Sequence, residues 1–439
     1  MTIEELNNLK QTSYNCILDL ATPEGIHASG KTEAFGCIFG RDSFITILKL
    51  LRATAIQPDP ELLAICKRTL LTHVGLQGKE VNIESGEQPG KFIHEYRVDK
   101  YERLINRPRP WYVYPDKKLR NYDSIDATPL GLIAIYNYWA QTQDTAFLLS
   151  ALSSVEQGLQ WIINYGDMDN DYLLEYELSK DRVHGGLVVQ SWADSAASLA
   201  NKNGELPPYP IAPVEVQGIA WLALTLWGEF YKEDNQYVKN VSFGNKLLTQ
   251  AKNLKKRFNE QFIIESKGKR YLAQALDGNK KQISTITANP LICLWSAYVK
   301  NDKKECIINE EIVLELVDRA FMPDMFVSHA GIRTMSAESP TFNPTEQSYH
   351  TGSFWPMLNG LLIEGLENFG FISQADLLKQ AMLQPLQHFG SPIEVYIEQN
   401  GTYGVYRSIW GQQSCANQAW SAAAAYDVLT HMFPPNTLI

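Results

Sequence analysis

The sequence predicts an all-α protein, a barrel of six helical hairpins in an (α/α)6 toroid with small β decorations in its loops. Three observations predict it. Apolar residues recur at steps of three and four through twelve segments, the period of a packed helix. The segments come in pairs joined by short turns. Between the pairs lie five long stretches rich in Gly, Pro and aromatics, at 22–41, 78–128, 167–211, 322–351 and 388–413. Long loops without regular structure are uncommon and usually functional. Twelve helices nested in two rings would gather these loops at one mouth, around a pocket.

In chain order the helices are expected at 3–21, 42–56, 59–77, 129–142, 144–166, 212–230, 238–261, 285–299, 308–321, 352–369, 372–387 and 414–432. Asp59-Pro60 and Thr128-Pro129 read as helix starts, with Pro at the first helical position. Trp355, Leu358, Leu362, Leu366 and Phe369 fall on one stripe; Gly370 then reads as a stop, and Ser373 as a cap for the next helix. Short strands are expected near 172–178 and 262–275. No linker or low-complexity stretch divides the chain, so one domain over 1–439 is expected. No fixed sequence period recurs, which disfavours a solenoid.

Composition narrows the function classes. The formal net charge is −10 and no long basic run occurs, which argues against nucleic acid and against an anionic membrane surface as partners. The opening MTIEELNNLKQ has no apolar signal-like core, and nothing later is apolar for long enough to span a membrane. Six scattered cysteines form no CxxC pair, so neither a disulfide framework nor a zinc site is suggested. A cytoplasmic protein with reduced thiols is expected. Many aromatics, including Trp111, Tyr112, Trp192, Tyr349, Trp355 and Trp410, sit in loop segments rather than helical runs. Such rings can stack on sugar faces while polar neighbours bond the hydroxyls.

The stretch GGLVVQSWADSAASL, from Gly185 to Leu199, carries the sharpest chemistry. Trp192 stands two positions before Asp194 among small residues. An apolar wall beside a carboxyl disfavours its ionised form, as a general acid requires. The plainer reading is that Asp194 caps a helix starting at Ser195 or Ala196. Asp42, Asp126 and Glu215 likewise stand where helices begin and could serve only as caps or dipole partners.

Ten motifs in order change that balance: FGRDSF, PGKFIHEYR, SIDATP, QSWADS, PIAPVEVQG, ALDGN, TANPLICLWS, GIRTMS, SYHTGSFWP and SCANQAWSAAA. Together they resemble the amylo-α-1,6-glucosidase family, the glucosidase half of glycogen-debranching enzymes, within the glucoamylase-like (α/α)6 inverting hydrolases. The resemblance spans about Ala34 to His431. It implies that Asp194 is the proton donor and Glu394, in SPIEVY, the base, with Glu398 as the rival four residues on. It assigns Arg41 and Asp42 to gripping the terminal sugar. It places Glu95, Trp192, His350 and Trp355 around the same pocket. Two motifs depart from the family: SAAS follows the acid where relatives often read SWDA, and PIEVY stands where they often read PELF.

The implied chemistry needs one neutral and one ionised carboxyl at the same pH. An inverting pair stands roughly 6.5–9.5 Å apart to admit a water. The expected activity is release of a terminal α-linked glucose with inversion from an oligosaccharide or polysaccharide, such as an α-1,6 branch stub. No cofactor or metal is expected, because the His residues are dispersed and no HExxH spacing occurs. The alternatives are a trehalase-like, glucosylglycerate-type or phosphorylase enzyme on the same barrel, or a non-catalytic sugar-binding protein.

Overall fold

Thirteen α-helices form among the described residues of the computed structural model, which are 1–201, 203–233, 237, 238, 240–300 and 303–434. They are α1 (Ile3–Leu20), α2 (Gly40–Ile56), α3 (Pro60–Gly75), α4 (Glu102–Ile105), α5 (Ala127–Thr142), α6 (Thr145–Trp161), α7 (Val214–Lys232), α8 (Val241–Gln261), α9 (Asn289–Trp295), α10 (Glu310–Ala320), α11 (Pro356–Asn368), α12 (Ile372–Phe389) and α13 (Ala419–Met432). All twelve expected helices are present. The addition is α4, a single turn inside a long loop.

The apolar pattern decides which helices go inside. In α8 only Gly244, Leu247, Ala251, Leu254 and Phe258 are buried, one stripe at steps of three and four. Such a helix packs by one face and leaves the rest to water. By contrast α9 buries all of its residues, and α7 and α13 nearly all of theirs. Helices apolar on every side belong in the interior. Accordingly α2, α5, α7, α9, α11 and α13 form a closed inner ring, each against the next and α13 back against α2. Outside them, α1 covers α13, α3 covers α2, α6 covers α5, α8 covers α7 and α12 covers α11. The outer helix α10 packs on the hairpin Ile263–Ser266 and Lys269–Leu272. This is the six-hairpin toroid. Small residues let the inner ring close: a Cβ on Gly360 of α11 would stand 2.6 Å from the Ala424 methyl of α13.

Several local expectations change. Asp59 caps α3 as read, accepting from the amides of Glu61 and Leu62 ahead of Pro60. Ser373 does not cap α12, which begins at Ile372 with Phe371 at its cap. The helix expected at 285–299 shrinks to α9, because Thr287 bridges to Met335 and Tyr298–Lys300 pairs with Lys303–Glu305. No strand forms at 172–178; only Tyr176 bridges, to Ile211. The final positions of the expected 1–439 domain, 435–439, lie outside the described residues. No helix among the described residues is long and apolar enough to cross a membrane. All six cysteines are buried and unbonded.

At one end of the ring an ion network ties α2, α11 and α13 together. The buried Lys49 ammonium meets Glu364 at 2.6 Å and Asp427 at 3.3 Å, while Arg52 meets Glu367 at 2.6 Å and Asp427 at 2.9 Å. The other end carries the first turns of the inner helices and the long loops.

Candidate active site

Each inner helix contributes its N-terminal end to one region. Arg41 and Asp42 lie in the first turn of α2, Asp126 at the cap of α5, Glu215 in the first turn of α7, Asn289 at the start of α9, Trp355 at the cap of α11 and Gln418 at the cap of α13. None of the caps of α2, α5 or α7 is closed by a side chain, so the capping reading of Asp42, Asp126 and Glu215 fails. Nor does a helix follow Asp194; residues 195–199 are turns. Asp42 lines the pocket and Asp126 is clasped by Arg41, while both Glu215 oxygens lack a protein partner; Asp42 and Glu215 keep first-turn positions that suit the helix dipole.

The pocket is a small cavity of about 70 Å³ that opens to solvent. Arg41, Asp42, Trp192, Asp194, His350, Trp355 and Glu394 all line it, joined by Phe35, Phe39, His94, Tyr349, Gln418 and Trp420. Residues more than 350 positions apart thus meet, because the ring is closed by α13 against α2.

Asp194 sits on the loop after Trp192 with its side chain a quarter exposed. Its Oδ2 accepts from Nη1 of Arg41 at 3.1 Å. The same guanidinium clasps Asp126 through Nε at 2.6 Å and Nη2 at 3.2 Å, and Nη2 reaches Ser124 Oγ at 3.4 Å. Arg41 therefore lines the pocket with four of its five N–H donors committed to protein and one Nη1 hydrogen left over. Burial pushes Asp194 up to about 6 against the pull of Arg41. Glu394 is buried; its Oε1 accepts from the Tyr349 hydroxyl and its Oε2 from the Cys415 amide at 2.9 Å. Burial pushes it up to about 7, with the Cys415 amide and Tyr349 hydroxyl opposing. Asp42 accepts from Gln418 Nε2 at 3.0 Å and is pushed up to about 7 by burial, opposed by Arg41 and assisted by the Asp194 and Glu394 charges. Three carboxyls thus share one pocket, and two of them bear on the ionisation of the third.

Aromatic rings form the walls. His350 stacks on Trp355 at 4.9 Å, and Trp192 meets His350 edge-on at 5.4 Å and Trp355 at 5.8 Å. Their polar edges are fixed: Trp192 Nε1 donates to Asn289 Oδ1 at 3.0 Å and Trp355 Nε1 to the Tyr349 carbonyl at 2.9 Å. His350 Nδ1 lies 2.9 Å from Ser195 Oγ, and burial together with Arg41 keeps its ring neutral. Four buried polar atoms on lining residues have no protein partner: His94 Nδ1, His350 Nε2, Gln418 Oε1 and Trp420 Nε1. Buried polar atoms are normally satisfied, so atoms left over on pocket residues are the ones a hydroxylated ligand would meet.

Two expected positions fall elsewhere. Glu95 does not line the pocket. Its side chain pairs with Arg97 on the same strand, Glu95–Arg97, and takes a contact from Cys37 Sγ. Neighbours along an extended chain face opposite ways, so His94 takes the pocket position instead. Glu398 lies on the hairpin Tyr396–Gln399 and Thr402–Val405, beside His329 Nε2 at 3.2 Å and the Gly401 amide at 2.8 Å, outside the pocket. Of the two candidates, only Glu394 reaches it. His94, Gln418 and Trp420 were not assigned to the site from the sequence, although each is in or beside a quoted motif, and Tyr349 was read only as one of the loop aromatics.

A closed ring of six helical hairpins with acidic residues gathered at its N-terminal mouth defines the helical-toroid glycoside hydrolases. The model of the amylo-alpha-1,6-glucosidase family matches residues 112–427, and the chain belongs to that family. A search of curated proteins finds no significant match. Among solved structures, a GH63 mannosylglycerate hydrolase from Thermus thermophilus in complex with Tris is 12% identical with TM-score 0.63, over 96% of this chain and 100% of that one. A rhamnosidase from Klebsiella oxytoca with rhamnose bound is 10% identical with TM-score 0.60, over 99% of this chain and 65% of that one. A wild-type glycosidase is 12% identical with TM-score 0.58, over 98% of each chain.

Proposed function

We propose that the protein releases terminal α-linked glucose with inversion, acting on an α-1,6 branch stub or a small oligosaccharide. The observation that carries this reading is the presence of Asp194 and Glu394 in one aromatic-walled pocket. Asp194 gives its proton to the glycosidic oxygen. Glu394 takes a proton from a water that attacks the anomeric carbon from the opposite face, so the α-linked sugar leaves as the β anomer. Asp42, steadied by Gln418, and the unpartnered atoms of His94, His350 and Trp420 bind sugar hydroxyls. Arg41 positions Asp194 rather than the sugar.

The family match supports glucose and the α-1,6 linkage. Among the relatives of like fold are a mannosylglycerate hydrolase and a rhamnosidase, so the sugar is the point to test first. Six reduced thiols fit a cytoplasmic setting. The test is a panel of isomaltose-type and maltose-type glucosides with proton NMR of the first product. Early β-glucose is expected, fastest from the 1,6 bond. Early α-glucose, or no glucose from any substrate, overturns the reading.

A further inference from the structure

Immediately outside the pocket lies a larger vestibule of about 1350 Å³. It adjoins both carboxyls: Ser195 follows Asp194 in the chain, and Cys415 donates its amide to Glu394. A sugar seated in the inner pocket would direct its leaving group here. The vestibule is unlike the inner pocket in charge. Where the inner pocket gathers three carboxyls, the vestibule presents two exposed guanidiniums, Arg103 in α4 and Arg107 in the bend that follows it.

Neither arginine meets a carboxylate among the described residues. Arg103 donates Nη2 to the Ala34 carbonyl, and Arg107 donates Nε to the Arg103 carbonyl at 3.3 Å. Arg103 lies over the Phe35 ring at 5.7 Å, and Phe35 itself lines the inner pocket. One aromatic ring therefore separates this positive charge from the catalytic space. The acid that lines the vestibule, Glu33, has both oxygens spent on the amides of Ala416 at 2.6 Å and Gly30 at 2.8 Å. Opposite the two arginines, Trp410 stands 88% exposed on a turn pinned by the Ser408 amide to the Gln412 carbonyl at 2.8 Å. An exposed indole on a fixed turn is a platform for a ring or carbon chain.

We propose that the natural leaving group carries an anionic substituent, a carboxylate or a phosphate, which Arg103 and Arg107 bind while Trp410 covers its carbon skeleton. The proposal rests on the hydrolase reading above and narrows its substrate to a small acidic glucoside in place of a neutral branch stub. A neutral glucan would leave two guanidiniums idle at the mouth; an acidic one gains charge-assisted hydrogen bonds.

Three α-glucosides of matched size test it: 2-hydroxyethyl, carboxymethyl and 2-phosphoethyl α-D-glucoside. The kcat/KM of at least one acidic substrate is expected to exceed that of the neutral one by about tenfold, and the better of the two identifies the acid. The ratio should collapse toward one in the Arg103→Gln/Arg107→Gln variant, and shrink at about 0.5 M salt, where exposed charges are screened. A wild-type ratio of one or less overturns the proposal, as does a high ratio that survives the double substitution. If neither these three nor the isomaltose-type and maltose-type glucosides are hydrolysed, the hydrolase reading fails. The inference is then judged by Kd for the same ligands on Asp194→Asn, where equal Kd values for acidic and neutral glucosides overturn it.

Discussion

Nη1 of Arg41 lies 3.1 Å from Oδ2 of Asp194, on the same guanidinium that clasps Asp126. A proton donor paired with a permanent cation is an arrangement at odds with itself. The cation favours the ionised carboxylate, and burial favours the neutral acid; the balance leaves Asp194 at about 6. Glu394, with two donors on its oxygens, stands at about 7. The working state therefore needs its proton on the more acidic of the two groups. Hydrogen bonding explains the division of labour better than acidity does, since Glu394 is fitted with donors for its anion and Asp194 is open to the leaving oxygen.

The first prediction concerns pH. Activity requires Asp194 protonated, which is lost as pH rises through about 6, and Glu394 ionised, which is lost as pH falls through about 7. The profile of kcat/KM should be a narrow bell with its maximum near pH 6.5. A broad plateau would count against these roles.

Tyr349→Phe should shift one limb of that bell. Removing the hydroxyl takes a donor from the Glu394 anion, so the Glu394 pKa rises and the acidic limb moves to higher pH. Stopped assays across the bell and about two units beyond each limb would show it; an unmoved limb would mean the hydroxyl does not serve the anion.

Asp194→Asn should lower turnover by about 10²–10⁴-fold, the usual worth of a general acid. Sugar binding and the thermal unfolding midpoint should change little, because the amide still accepts from Arg41. Removing the cation is different. Arg41→Gln strands buried Asp126 and should destabilise the protein by about 3–5 kcal/mol, read by denaturant titration. In the folded fraction the Asp194 pKa rises and the alkaline limb moves up.

The ion network at the far end of the ring predicts acid sensitivity unrelated to catalysis. Burial raises the Asp427 pKa, but Lys49, His431 and Arg52 overcome that and hold it down at about 2. Its contribution to stability is complete above the ordinary Asp value of about 3.9 and is lost as pH falls through the folded value. Asp427→Asn should therefore lose stability at neutral pH and little at pH 2, measured by chemical denaturation at each.

Gly40→Ala should lose activity without touching any reacting group. A Cβ there would stand 2.0 Å from the Ile93 carbonyl oxygen, so α2 must move and carry Arg41 and Asp42 with it. Partial proteolysis and activity measured together would separate displacement from unfolding.

Much of this was legible in the sequence because helical period reports burial directly. The twelve helices and their arrangement in two rings were expected from that period, whereas which of them lie inside was assigned only from the structure, where α8 buries one stripe and α7 and α13 nearly every residue. Of the pocket residues, Asp194 and Glu394 stood out through their motifs. What stayed hidden depends on direction and on distant partners. His94 and Glu95 are adjacent letters whose side chains part across a strand, and the choice between them is set by Arg97. The clasp of Asp126 by Arg41 joins positions 85 apart. The shortening of α9 comes from strand pairing at both its ends, which competes with helical period and wins.

The contact of α13 with α2 has a bearing on how the molecule comes into being. Some walls of the pocket come from the first inner helix of the ring and others from the last: Arg41 and Asp42 are made long before Gln418 and Trp420. A ribosome must therefore deliver every helix of the ring before the pocket can work. Until the late helix docks, the early ones hold apolar flanks open to water, and shielding them during synthesis is a task the completed enzyme no longer has.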